Sequence, residues 1–439
     1  KIAITPDFHK GAGIPIGTVL ATRGFVIPQA IGNDVNCGMR VYATGYTEDD
    51  IRGKLDQLEP ELRHAFFEGG RDIPMTGIQR EAMFRNGLIG LLNTVPKTQN
   101  TGIWELFNRI VDNDELTKIA CQGSLVAGTV VGLEDLIGTR DVLTRDNQIG
   151  SIGGGNHFVE IQKVSKVIDR SLAYHWKLQQ DQIVIMIHTG SLAIGHLSGN
   201  IQRDLVQSIY PANLKRPDNG ILVLPASERY GAQMEIFRNT LHNAGNFAFA
   251  NRMFLGLMTL RSLFKVCGEK ESRLLYDTPH NFVWEEELDG NPIYLHRKGA
   301  CPARGIDQLT GTFYGSFGEP VLVPGSMGSA SYIMAGLGNS DSLWSASHGA
   351  GRSLSRGQAL KVDEERLRRF LDEFCIVTPI DFNRPDIKLR KDIINEKLAD
   401  IKQEAPFAYK EITAVTRTLT DARIAAPVVE LKPILTIKG

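Results

Sequence analysis

The sequence predicts an α+β protein, one large domain with a mainly β core and helical insertions. Three observations predict it. Strand-like and helix-like segments do not alternate regularly, which sets aside a doubly wound sheet. Short apolar runs punctuated by Gly and Pro dominate both ends and the centre of the chain. No clean linker, internal repeat or low-complexity tract divides the chain, although 439 residues alone would suggest about three domains.

The elements follow in order. Residues 1–48 carry β-like runs at 1–5, 18–21, 25–27 and 40–46, separated by Gly/Pro turns. The next block changes period: 48–68, 77–92 and 112–127 read as amphipathic helices, as in Ile51, Leu55, Leu58 and Leu62. Strands and turns return over 148–200, with a buried-looking run at 182–187. Residues 232–264, rich in Ala, Phe, Met and Leu, predict a long helix pair. Strands with Gly-rich turns occupy 273–356, helices 363–374 and 392–405, and a closing strand 428–438.

Composition bounds the function. Net charge is −1, so there is no global basic signature, and any nucleic-acid contact has to be a local patch. Five scattered cysteines (Cys37, Cys121, Cys267, Cys301, Cys375) are too few for a disulfide framework. They point to a reducing compartment, and the expected location is cytoplasmic. No apolar run reaches the ~18 residues a span needs, so no membrane association is expected. The opening lacks the apolar core of a signal peptide. It begins without Met and inside a strand-like run, so residues are expected upstream of Lys1.

Chemistry concentrates beside glycines. Ser-His-Gly-Ala-Gly-Arg at 347–352 sets His348 before Gly349, Ala350 and Gly351, with Arg352 closing the run. Glycines let a large anion approach, and the guanidinium offers a planar fork for phosphate. An imidazole there can accept a phosphoryl or nucleotidyl group; a Gly-rich turn with a surface histidine is the plain alternative. Asp34 and Cys37, three apart in a glycine-flanked turn, can reach one metal, or Cys37 can be a buried small hydrophobe. Gly153–Gly155 lead into Asn156, His157 and Glu160, where a hydrogen-bonding loop competes with a ligand site. If a strand starts at Phe158, His157 falls on the opposite face from Asn156 and Glu160. His188 ends an apolar run before a Gly/Ser turn, where catalytic residues often sit but core histidines do too. His280 follows Pro279; Arg297 and Lys298 precede Gly299; Pro324, Gly325, Ser326 and Met327 form a turn whose amides can cradle phosphate. Each is ambiguous alone. Together, one Cys, several His and a carboxylate suit a two-metal site bridged by a thiolate.

In order along the chain, Asp-Phe-His-Lys-Gly (7–11), the Asp34/Cys37 turn, Gly-Asn-His-Phe-Val-Glu, His-Thr-Gly-Ser, His-Asn-Phe, Arg-Lys-Gly-Ala, Pro-Gly-Ser-Met-Gly, Ser-His-Gly-Ala-Gly-Arg, Ala-Pro-Phe-Ala-Tyr-Lys-Glu-Ile and the final Ile-Lys-Gly resemble the RtcB family of RNA-splicing and repair ligases. The likeness spans nearly the whole chain, so the expected domain is 1–439. It implies joining of RNA 2′,3′-cyclic phosphate or 3′-phosphate ends to 5′-hydroxyl ends with GTP and two Mn2+ ions. By the same resemblance, His348 takes GMP and Cys37 bridges the metals. Asp34 and His157 complete one metal site, His188 and His280 the other. Asn156 and Glu160 contact the guanylyl group. Arg352, the Gly349–Gly351 run and the turn Pro324, Gly325, Ser326, Met327 lie near its phosphate and ribose, and Lys438 touches the guanine. Asp7, Arg297 and Lys298 line the RNA-end pocket. An activating protein of the archease type is a candidate partner.

Ligand softness alone favours zinc or cobalt over manganese for this donor set; manganese enters from the resemblance. Two positions depart from the family pattern: Leu192 where an arginine is usual, and His296 before Arg297. They leave room for a metal-dependent RNA-end phosphodiesterase, or for a divergent guanylyltransferase that does not seal. The phosphodiesterase and the ligase both need the metals, but of these two only the ligase needs His348 and GTP. A non-catalytic RNA-binding relic is disfavoured, because it has no use for His348, Cys37, His157, His188 and His280 together.

Overall fold

Every residue of Gln182–Thr189 is buried, and alternate side chains feed two different cores. Ile183, Ile185 and Ile187 join the largest apolar cluster; Val184 and Met186 join a second one. A strand buried on both faces belongs at the centre of a covered sheet. The computed structural model describes residues 1–439 and shows that sheet.

The strands are β1 (Ile2–His9), β2 (Ile16–Thr22), β3 (Phe25–Val26), β4 (Gly38–Thr47), β5 (Phe158–Val167), β6 (Gln182–Thr189), β7 (Leu224–Pro225), β8 (Ser272–Pro279), β9 (Asn281–Leu288), β10 (Asn291–Lys298), β11 (Ala300–Pro302), β12 (Pro320–Val323), β13 (Ser331–Gly336), β14 (Ser345–Ser347), β15 (Cys375–Val377) and β16 (Ala425–Ile437). The main sheet runs β12-β13-β16-β5-β6-β4-β8, with β15 parallel beside β16 and the other pairs antiparallel. A second sheet runs β1-β2-β10-β9, and short ribbons join β11 to β14 and β3 to β7. This is the expected α+β class.

Antiparallel register decides where chemistry can collect. Gly38 lies opposite Thr189 and Pro279, Phe158 opposite His188, and Ile437 opposite Val159. β4 and β5 therefore start at the edge where β6, β8 and β16 end. Cys37, His157, His188, His280 and Lys438 sit at or beside those five ends.

Three expectations need correction. The predicted helix pair at 232–264 is one continuous helix, Gly231–Cys267, because no breaker interrupts it. Its Gly256 lies so close to β4 that an added Cβ would meet the Tyr42 ring at 2.3 Å, so helix and sheet meet nearly backbone to side chain. The predicted helix at 112–127 shrinks to Asn113–Leu116 and a 3-10 turn in which Cys121 and Gln122 adopt positive φ. Asn246 of the long helix holds the Leu125 amide at 2.8 Å and its carbonyl at 2.7 Å, so a tertiary bond outbids local helix. The block 48–68 splits into Glu48–Arg52 and Leu55–Phe67, broken around Gly53. Leu55–Phe67 packs on the long helix, and Leu58, Leu62 and Phe66 join the main core.

Candidate active site

Four elements aim donors at Cys37. Its Sγ lies 3.3 Å from Nε2 of His157 and 3.3 Å from Nε2 of His188. The His188 and His280 Nε2 atoms are 3.2 Å apart, and His157 Nε2 is 2.8 Å from Asp34 Oδ2. Two donor groups result, Asp34–Cys37–His157 and Cys37–His188–His280, with the cysteine common to both. His157 precedes β5, which starts at Phe158, and turns in from the glycine bend.

The electrostatics fit a cation. His157 Nδ1 lies 3.1 Å from the Ile152 carbonyl, to which it can only donate, and its Nε2 lies 2.8 Å from Asp34 Oδ2. A metal ion held by this pair would take the place of a proton on Nε2. Burial pushes the His188 and His280 pKa values well below the ordinary range, with neighbouring histidines adding to it, so both rings are neutral donors at pH 7. Burial and the Asp34 charge push the Cys37 thiol up, so it stays protonated unless a cation displaces the proton. Burial raises Asp34 too, but His157, Cys37 and backbone amides outweigh it and hold the carboxyl low.

Beside this cluster, the His348 ring centroid is 4.6 Å from that of His280. The buried Asp7 carboxylate accepts from His348 Nδ1 at 2.6 Å and from Thr5 Oγ1 at 2.5 Å. Burial raises the Asp7 pKa, yet the bonds and charge from His348 prevail and hold it low. Nδ1 of His348 is thus occupied, and Nε2 is left for chemistry. Gly351, at φ +73°, lets the chain pass over Asp7; an added Cβ there would sit 2.4 Å from the Asp7 carbonyl oxygen.

His348 opens onto a cleft of about 820 Å³, a size suited to a nucleotide. Asn156, Pro324, Gly325, Ser326, Met327, Gly349, Ala350, Gly351, Arg352 and Lys438 line it, as does His188. Lys438, pushed down to about 8 by burial, donates to the carbonyls of Gly155 and His157 and braces the ligand turn. Glu160 lies behind the wall, its carboxylate held by Thr436 and Gln162 at 2.6 Å each and its pKa pushed up to about 7 by burial.

Other expected residues are occupied elsewhere. Arg352 pairs with Glu404 at 2.9 Å, donates to the Gln403 carbonyl at 2.6 Å and stacks on Tyr409. Arg297 is buried and donates to Ser345 Oγ at 2.8 Å; Lys298 donates to the carbonyls of Ala12 and Ile14 at 2.6 and 2.7 Å. Neither lines the cleft. His296 is structural: its Nε2 accepts from the Ile27 amide at 2.9 Å. Leu192, at φ +52°, covers the glycine turn at Gly153. The sequence reading missed His9, Lys10, Arg356, Glu404 and Tyr409 as cleft residues. His9 and Lys10 stood inside the Asp-Phe-His-Lys-Gly motif, and Arg356 opens a short helix four residues after Arg352; Glu404 carried no local signal.

The sequence profile of the RtcB family, described as tRNA-splicing ligase RtcB, matches residues 1–439. The chain belongs to the RtcB family. It is 31% identical over 458 residues to a tRNA-splicing ligase RtcB of Thermococcus kodakarensis, spanning 99% of this chain and 87% of that one. It is 30% identical over 451 residues to that of Methanococcus maripaludis, with the same coverage. An RNA-splicing ligase RtcB homolog 1 of Entamoeba histolytica is 30% identical over 460 residues, spanning 100% of this chain and 80% of its own. Membership makes this RtcB-family chain an enzyme of the RNA-ligase class. No helix is long and apolar enough to cross a membrane.

Proposed function

We propose that the chain joins RNA 2′,3′-cyclic phosphate or 3′-phosphate ends to 5′-hydroxyl ends, in RNA repair or tRNA splicing, consuming GTP through a GMP adduct on His348. The observation that carries this reading is the Asp7–His348 pair beside the shared-cysteine donor cluster. An imidazole clamped at Nδ1 presents Nε2 as a nucleophile, and an adjacent cleft can hold a nucleotide. His348 Nε2 attacks the α-phosphorus of GTP; the P–N bond forms and pyrophosphate leaves. A 2′,3′-cyclic end is first opened by water to a 3′-phosphate, the P–O2′ bond breaking; the RNA 3′-phosphate then attacks the phosphoramidate, the P–N bond breaks, and GMP becomes its leaving group. The RNA 5′-hydroxyl attacks the activated phosphorus and GMP departs.

Asp34, Cys37 and His157 would hold one Mn2+, and Cys37, His188 and His280 a second. The ions, when bound, neutralise phosphate charge and polarise phosphorus. Asn156 and the Pro324–Met327 turn supply polar groups along the cleft, and Arg356, half free of Glu404, offers a phosphate-pairing cation. A second reading, a guanylyltransferase that seals poorly, draws on Leu192, Arg297 and Lys298 all being turned away from the cleft.

The test is incubation with α-labelled GTP and Mn2+, then denaturing electrophoresis, then sealing of a nicked stem-loop. The proposal expects an acid-labile, alkali-stable adduct that disappears in His348→Ala, and a sealed product. No adduct, or one that survives His348→Ala, refutes it; an adduct without sealing selects the second reading.

A further inference from the structure

His9, at the centre of the Asp-Phe-His-Lys-Gly motif and the end of β1, lines the cleft and has no part in the chemistry described so far. Its Nδ1 lies 2.7 Å from the Asp7 backbone carbonyl. A carbonyl oxygen can only accept, so Nδ1 carries the proton. Asp7 therefore fixes two imidazoles at once, His348 through its carboxylate and His9 through its carbonyl. The strand end is held in turn by Lys410, whose Nζ donates to the Phe8 carbonyl at 2.8 Å and to the Pro6 carbonyl at 3.2 Å.

The consequence is chemical. With Nδ1–H spent on a carbonyl, a neutral His9 presents only the Nε2 lone pair to any ligand. A lone pair repels phosphate oxygens and accepts from a hydroxyl. We propose that His9 is the general base that takes the proton of the RNA 5′-hydroxyl during sealing. This rests on the ligase reading above. In that step the 5′-oxygen–phosphorus bond forms, the bond from phosphorus to the departing GMP oxygen breaks, and the hydroxyl proton moves to His9 Nε2. The imidazolium returns the proton to water after product leaves. Burial, and the nearby charges of His348 and Lys410, hold the His9 pKa below its ordinary value, against the opposing pull of Asp7, so the ring is neutral at pH 7 with its Nε2 lone pair open to a proton.

Single-turnover measurements on the Mn2+-loaded full chain separate the steps: labelled GMP transfer to His348, and sealing of a stem-loop whose 3′ end is already activated with GMP. His9→Ala should slow sealing at least about a hundredfold more than it slows GMP transfer, the span of a lost general base. His9→Gln, which can bond a hydroxyl but cannot take its proton, should do no better. The acidic limb of the wild-type sealing–pH profile should vanish in both variants, in which Asp7, His348 and Lys410, the groups facing position 9, are unchanged. Equal losses in the two steps, sealing restored by His9→Gln, or a rise in the Michaelis constant for RNA with unchanged turnover would each overturn the assignment. Wild-type protein that forms no adduct would instead remove the ligase mechanism beneath it, and that result appears before any variant is made.

Discussion

Replacing Asp7 by Asn tests the nucleophile's geometry with almost no change in volume. In the native site one carboxylate oxygen accepts from Thr5 Oγ1 at 2.5 Å and the other from His348 Nδ1 at 2.6 Å. An asparagine has a single acceptor. If it stays on Thr5, the amide NH2 faces His348 and forces the proton from Nδ1 to Nε2, the nitrogen that must attack. If it turns to His348, the tautomer survives but the bond loses its charge. The second case costs about 1.5–3 kcal/mol, tenfold to a hundredfold in rate. The first resembles the Asp-to-Asn change in a Ser-His-Asp triad, where the wrong tautomer costs about 10⁴. GMP transfer to His348 should therefore fall by about 10 to 10⁴ in single-turnover assays with labelled GTP. Metal content should hold, because Asp7 belongs to neither donor group. A loss smaller than about threefold, with metal retained, would refute the view that Asp7 sets the His348 tautomer.

Three further outcomes are expected. Cys37→Ser should strip most of the bound metal, read by elemental analysis, because Cys37 is shared by both donor groups and a serine hydroxyl keeps its proton; native stoichiometry would contradict the bridging role. Leu192→Arg should lower the apparent Michaelis constant for RNA ends about tenfold to a hundredfold by adding a charge-assisted bond; slowed GMP transfer without better sealing would show that Leu192 serves the turn at Gly153 instead. His296 should make the fold acid-sensitive. Its pKa falls from 6.5 to about 4 through burial, a difference of about 3 kcal/mol. Above about 6.5 both states are neutral; as pH falls toward about 4 the unfolded chain binds a proton that the folded ring refuses, so stability drops across that window. Denaturant titrations at pH 7 and pH 5 should show a smaller drop in His296→Gln than in the native protein.

Local turns were the readable part of this site. Cys37, His157, His188, His280 and His348 each stand beside glycine, proline or a strand end, and such punctuation survives in the sequence whatever the fold does with it. The occupancy of long side chains was not readable. Arg352 looked free for phosphate because its partner Glu404 is 52 residues away; Arg297 and Lys298 looked free because their acceptors, the Ser345 hydroxyl and the Ala12 and Ile14 carbonyls, lie far along the chain. A motif shows which donors exist and not which acceptors have already taken them. The long helix was misjudged for a related reason. It is apolar nearly all round, so its periodicity is weak and its continuity hidden.

Beneath the donor cluster lies a buried charge group that stability alone does not explain. Arg252 of the long helix and Arg40 of β4 both pair with Asp277, and all three side chains are fully buried. Such groups are often no more stabilising than apolar residues of the same size. The bonds made by Arg252 show what else it does. Its Nη1 donates to the carbonyls of Asn36 at 2.6 Å and Thr189 at 3.1 Å, and Nη2 to Asn36 Oδ1 at 3.0 Å. Asn36 precedes Cys37 and Thr189 follows His188, so one guanidinium sets the spacing of two donors from different strands. The Arg252 charge also pulls the Cys37 pKa down against its burial. The helix that fills the main core thereby fixes, through one side chain, both the geometry and the potential of the sheet edge where the donors meet.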